Sequence, residues 1–141
     1  VDMNRQGIFG HSMGGHGALI IALRNPKNYK SCSAFAPIVE PSTASWSSEA
    51  FKKYIGPNKK DWEKYDSVAL IRDGFYFPEI LVDQGEADSF LDEGLRPWLL
   101  EEICRKSKIN LKLRMQSGYD HSYFFISTFM SDHLMWHKER I

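Results

Sequence analysis

The sequence predicts an α/β fold with a mostly parallel sheet flanked by helices, and three observations carry that expectation. A glycine-rich turn, Gly10-His11-Ser12-Met13-Gly14, separates a strand-like lead-in at 5–9 from a helix-like continuation at 15–23. Ile80, Leu81 and Val82 are consecutive and apolar, as in a strand covered on both faces. Strand-like and helix-like stretches alternate along the chain, as strand-helix-strand units with parallel strands require.

Within the first unit, the apolar residues Ala18, Leu19, Ile21, Ala22 and Leu23 follow the turn, and Asn25-Pro26 ends the helix. Residues 30–37 read as a short strand stopped by Pro37, which completes a right-handed strand-helix-strand unit. A loop rich in Pro, Ser and Thr spans 39–48 around Trp46. Short helical pieces follow at 49–55, 60–64 and 67–73, the last behind Asp66 as a possible cap. The strand at 79–85 leads to a helix in which Leu91, Leu95, Trp98, Leu99 and Ile103 recur at helical spacing through 106. Leu111, Leu113 and Met115 alternate with Lys112, Arg114 and Gln116, the pattern of a half-exposed edge strand. After the turn Gly118-Tyr119-Asp120-His121, a last helix from about Ser122 carries Phe125, Ile126, Phe129, Met130 and His133 on one stripe. His137 falls near the opposite, solvated side.

Composition narrows the function. The 141 residues, 43% hydrophobic and 13% aromatic, suffice for one domain with a modest core. Eighteen basic and eighteen acidic residues cancel and neither sign runs in blocks, so neither nucleic acid nor an anionic membrane is an expected partner. The longest apolar run, 18–23, is far short of the roughly 20 residues that span a bilayer. Cys32 and Cys104 are isolated, which suits free thiols in a reducing compartment, so a cytoplasmic location is expected. The chain opens at Val1 with a core strand almost at once, and so reads as the second half of a larger unit.

A serine at the apex of a strand-turn-helix is the context of a Gly-x-Ser-x-Gly nucleophile elbow. The expectation is that a side chain at Gly10 or Gly14 would clash with the neighbouring strand or helix. Met13 N–H falls in the first helical turn, where unpaired donors and the dipole favour negative charge, and so supplies half of a candidate oxyanion hole. Ser12 needs a base, and the base needs an orienting acid. In parallel sheets such groups sit on loops at the carboxyl ends of strands, where His121 and Asp88 fall. The order Ser12, Asp88, His121 is that of the α/β-hydrolases. Alternatives are weaker. The His11 ring is expected to leave the elbow in another direction, and His16 to be packed or capping. His133 and His137 have a metal-like i, i+4 spacing without further ligands, so one is expected packed and the other solvated. Asp83 lies inside a strand, Asp92 in a helical first turn, and Asp120 directly beside His121.

Four stretches together carry a family resemblance. They are Gly10-His11-Ser12-Met13-Gly14-Gly15-His16-Gly17-Ala18-Leu19, Ser33-Ala34-Phe35-Ala36-Pro37-Ile38, Asp83-Gln84-Gly85 with Asp88 and Phe90, and Gly118-Tyr119-Asp120-His121-Ser122-Tyr123. They resemble the S-formylglutathione hydrolase, or esterase D, family over nearly the whole chain. The resemblance implies the carboxyl-terminal half of an α/β-hydrolase domain at 1–141. It also implies a serine thioesterase that cleaves S-formylglutathione to glutathione and formate in formaldehyde detoxification, with carboxylesterase activity on simple esters. Carried over by position, the triad is Ser12, Asp88 and His121, and Trp46 lines the acyl pocket. Ala87 departs from the acidic residue that relatives often place beside the catalytic Asp. The resemblance implies that the amino-terminal half, with the second oxyanion donor, is missing, so that the fragment alone is inactive. Expected partners are a small thioester or ester and that amino-terminal half, with a homodimer left open; no metal or organic cofactor is expected. Another esterase or acyltransferase of the superfamily, or a non-catalytic interaction module, are the competing readings.

Overall fold

The computed structural model describes residue 2 and residues 4–141, so the reading attached to Val1 lies outside the described residues. Four parallel strands form one sheet in chain order: β1 Gly7–His11, β2 Ser31–Phe35, β3 Glu79–Gly85 and β4 Asn110–Gln116. β1 runs two residues past its expected end because His11 still pairs with Phe35, and Ser12 N–H donates to Phe35 O at 2.9 Å. Helix α1, Met13–Arg24, begins directly after Ser12.

The pleat of the fully buried β2 sorts its side chains between two faces. Cys32 and Ala34 pack with Leu19, Leu23, Ile71, Ile80 and Leu100 under α1, α4 (Ser67–Arg72) and α5 (Pro97–Lys106). Phe35 packs with Leu95, Phe125 and Ile126 under α6, Tyr123–Lys138. Each fully buried Leu or Ile contributes about 1.5–3 kcal/mol of transfer free energy, so these two layers hold the sheet between the helices. Asp66 caps α4 as expected, its Oδ1 accepting from Ala69 N–H at 2.9 Å. Two short helices, α2 (Ser48–Tyr54) and α3 (Lys59–Trp62), cross the connection from β2 to α4.

Two expectations need correction. The helix read across 91–106 is two pieces, a π-helical turn at Leu91–Leu95 and then α5. Between them Arg96 takes a left-handed φ of 47°. Pro97 is the cause, since its ring cannot continue a helix from the preceding turn but suits the first position of a new one. His137 is buried, not solvated. Its Nδ1 lies 2.6 Å from Ser31 Oγ and its Nε2 2.8 Å from Ser33 Oγ, because β2 turns small hydroxyl residues toward α6 and leaves room for the ring.

Candidate active site

β1 ends in a strained turn that lifts Ser12 out of the sheet, at φ 56° and ψ −115°. Such a conformation is costly for a residue with a Cβ and persists where the surroundings impose it. Here Gly10 imposes it: a Cβ there would lie 2.2 Å from Gly14 O. A Cβ at Gly14 itself meets nothing within 4 Å, contrary to expectation. The second crowded glycine is Gly15, where a Cβ would come within 3.1 Å of both Gly10 O and Pro37 Cβ. Met13 is the first residue of α1, so its N–H sits at the positive end of a helix of 12 residues.

Across the sheet's carboxyl edge, the loops after β3 and β4 are joined by main-chain bonds. Glu86 N–H donates to Gln116 O at 3.0 Å, and Ala87 N–H to Tyr119 O at 2.9 Å. The close approach depends on Gly85, where a Cβ would fall 2.2 Å from Tyr119 O. This pairing brings Asp88 and His121 together, His121 Nδ1–H donating to Asp88 Oδ2 at 2.6 Å. A carboxylate only accepts, so the neutral ring carries its lone pair on Nε2. Asp88 is buried and its Oδ1 accepts Phe90 N–H at 2.9 Å, while Gln84 Nε2–H reaches Oδ2 at 3.2 Å. The His121 ring is held between Phe90, edge-on at 5.1 Å between centroids, and His11 at 4.4 Å. His11 thus leans onto His121 instead of leaving the elbow, and burial, with His121 second, holds its pKa below the ordinary value.

The remaining candidates have other partners. His16 Nδ1 lies 3.2 Å from Ile38 O, the packed role expected of it, and burial lowers its pKa. Both nitrogens of His133 and of His137 are engaged by Ser31, Ser33 and Asp83. Asp83 pairs with Arg114 and accepts from Gln116 and from His133 Nε2, at 3.0 Å each. Burial opposes its ionisation, but the donors of His133, Arg114 and Gln116 outweigh it and keep its pKa below the usual carboxylate range. Asp92 is exposed, and Asp120 accepts from the Ser122 hydroxyl and N–H, which lower its pKa.

A cavity of about 360 Å³ opens at this edge, with Ser12, Met13, Trp46, Phe90 and His121 on its wall. Ser89, Glu93 and Leu95 complete the lining. Trp46 is seated by Gly94, where a Cβ would come 2.5 Å from the indole Nε1. In the sequence, Gln84, Gly85 and Phe90 had no role beyond a stretch that carries the family resemblance, and Ser89 had no signal but adjacency to Asp88 in chain order.

A parallel sheet between helices, with a strained serine after its first strand and a hydrogen-bonded Asp–His pair after its last two, defines an α/β-hydrolase. A family model described as "Putative esterase" matches residues 1–136, and the chain belongs to that esterase family. It is 49% identical over 141 residues to an S-formylglutathione hydrolase of Paracoccus denitrificans and 50% identical over 142 residues to one of Mus musculus. These alignments cover 100% and 99% of the chain and 50% of each relative, so the chain spans about half the length of the curated relatives it matches. The solved S-formylglutathione hydrolase of Agrobacterium tumefaciens superposes with a TM-score of 0.97 at 63% identity, over 99% of this chain and 50% of that one.

Proposed function

We propose that this chain is the catalytic carboxyl-terminal part of a serine hydrolase that cleaves S-formylglutathione to glutathione and formate and also hydrolyses simple esters. The observation that carries the reading is the 2.6 Å His121–Asp88 bond beside a cavity that also exposes the strained Ser12. The names of the relatives support the substrate class.

His121 Nε2 takes the Ser12 proton as Oγ attacks the carbonyl carbon, and Asp88 stabilises the imidazolium. Met13 N–H donates to the developing oxyanion. The imidazolium then protonates the leaving thiolate or alkoxide, and a water activated by the same ring releases the acid from the acyl-serine. Trp46 forms the wall that contacts the substrate. The second oxyanion donor comes from an amino-terminal half, whose presence is supported by the outer side of β1, beside which no strand lies among the described residues, and by the relatives' double length. Two buried, unbridged thiols, Cys32 and Cys104, support a cytosolic setting.

The test is kinetic, in the full-length polypeptide, with S-formylglutathione and short aryl esters as paired substrates. The thioester is expected to be preferred, and Ser12→Ala to abolish turnover of both while the circular dichroism spectrum is unchanged. A Ser12→Ala variant with near wild-type turnover removes Ser12 from the mechanism.

A further inference from the structure

Gln84 is the penultimate residue of β3 and is fully buried. Its Nε2 lies 3.2 Å from Asp88 Oδ2 and 3.1 Å from Gly85 O. Both neighbours are acceptors, so the NH₂ group must face them and Oε1 must point away. There Oε1 is buried with no hydrogen-bond partner among the described residues. A glutamine in this place is therefore a poor solution for folding, because an unpaired buried carbonyl is a standing cost that an apolar side chain of equal length would avoid. Local rules broken in this way concentrate at functional sites.

We infer that Gln84 is a positioning residue for the proposed triad, its Nε2–H fixing the Asp88 oxygen that accepts the His121 Nδ1–H hydrogen bond. The inference rests on the reading of Ser12, Asp88 and His121 given above. Asp88 Oδ1 is anchored by Phe90 N–H at 2.9 Å, which leaves the carboxylate free to pivot about that bond. The Gln84 donor stops the pivot and holds Oδ2 in line with His121 Nδ1. It also draws charge from Oδ2. Without it the carboxylate holds the proton on His121 more firmly, and the ring becomes more basic.

The experiment is Gln84→Met in the full-length polypeptide, with melting temperature and the pH dependence of aryl-ester hydrolysis as readouts. Methionine keeps the length and removes both polar atoms. The melting temperature is expected to hold or rise, while kcat falls by about tenfold and KM stays within about twofold, the scale of one charge-assisted hydrogen bond. The acid limb of kcat/KM moves to higher pH. A variant that melts well below wild type, with a pH profile superimposable on it, overturns the inference.

If Gln84→Met fails to fold, Gln84→Glu sets a second carboxylate against Asp88. The added negative charge makes His121 more basic still, so turnover is suppressed at neutral pH and recovers as the pH is raised. A wild-type profile in Gln84→Glu is the contrary result. Asp88→Asn, assayed in parallel, separates the levels. Retained turnover there overturns the triad and this inference together, whereas loss there with unchanged kinetics in Gln84→Met overturns only the role of Gln84.

Discussion

Asp83 and Asp88 stand five positions apart in chain order and are both buried, yet their surroundings give them different work. Asp83 faces α6 and is shared among Arg114, Gln116 and His133, a set that ties β3 to β4 and α6. Asp88 meets His121 at the cavity. Asp88→Asn is therefore expected to lower kcat by about 10⁴-fold, as when the orienting acid of a triad is lost, with little change in the urea midpoint. Asp83→Asn is expected to do the reverse. It lowers stability by about 3–5 kcal/mol, because Arg114 and His133 lose a buried charged partner, and leaves turnover of the folded fraction near wild type. Turnover assays and urea titrations of the two variants check this, and a larger turnover loss in Asp83→Asn would contradict the assignment of the acid. The sequence distinguished these two residues by strand position and by the family resemblance, which assigns the triad acid to Asp88. It did not show where His137 points, because the serines that receive that ring lie more than a hundred residues away in chain order.

At the scale of elements, the site is placed by main-chain approaches that only glycine permits. Gly10 lets β1 and α1 cross, and Gly85 lets the Tyr119 carbonyl lie against β3. Gly10→Ala is expected to yield insoluble or unfolded protein, since a Cβ 2.2 Å from Gly14 O forces the elbow apart. Gly85→Ala pushes the 117–121 loop outward and separates His121 from Asp88, so a folded variant with at least a hundredfold lower kcat is expected. Wild-type kinetics in Gly85→Ala would show that the loop pairing does not set the site. The parallel strands were legible because residues such as Ile80, Leu81 and Val82 carry their own signal, and the edge position of β4 followed from its alternation. The split at Arg96 was legible only in Pro97, and the apolar spacing from Leu91 to Ile103 masked it. Which motif glycine is crowded was not legible at all: Gly14 and Gly15 are neighbours in sequence and differ in what their missing side chains would meet.

For the whole molecule, the buried imidazoles couple stability to pH. Burial, with His133 and Arg140 beside it, pushes the His137 pKa down to about 4. An unfolded chain titrates its histidines near 6.5, so between about 6.5 and 4 it binds a proton that the folded state refuses. Stability is thus full above about pH 6.5 and falls as the pH drops toward 4, by on the order of 3 kcal/mol from this residue. His11 and His16, whose pKa values burial also lowers, act in the same direction. Urea midpoints measured across that range are expected to decline on acidification, and His137→Gln to flatten the decline. A midpoint constant from neutral pH to about 5 would contradict it. The outer side of β1 has no strand beside it among the described residues, and Phe9 of that strand is exposed. Residues 1–141 expressed alone are therefore expected to associate, as light scattering would show, and to hydrolyse esters about 100- to 1000-fold more slowly than the full-length polypeptide for want of one oxyanion donor. The most direct test of Ser12 as nucleophile is covalent labelling of the full-length polypeptide by a fluorophosphonate, read as the labelled peptide by mass spectrometry. One adduct is expected, on Ser12, formed at a rate that collapses in Asp88→Asn; an adduct on another residue, or none on Ser12, would contradict the assignment of the nucleophile.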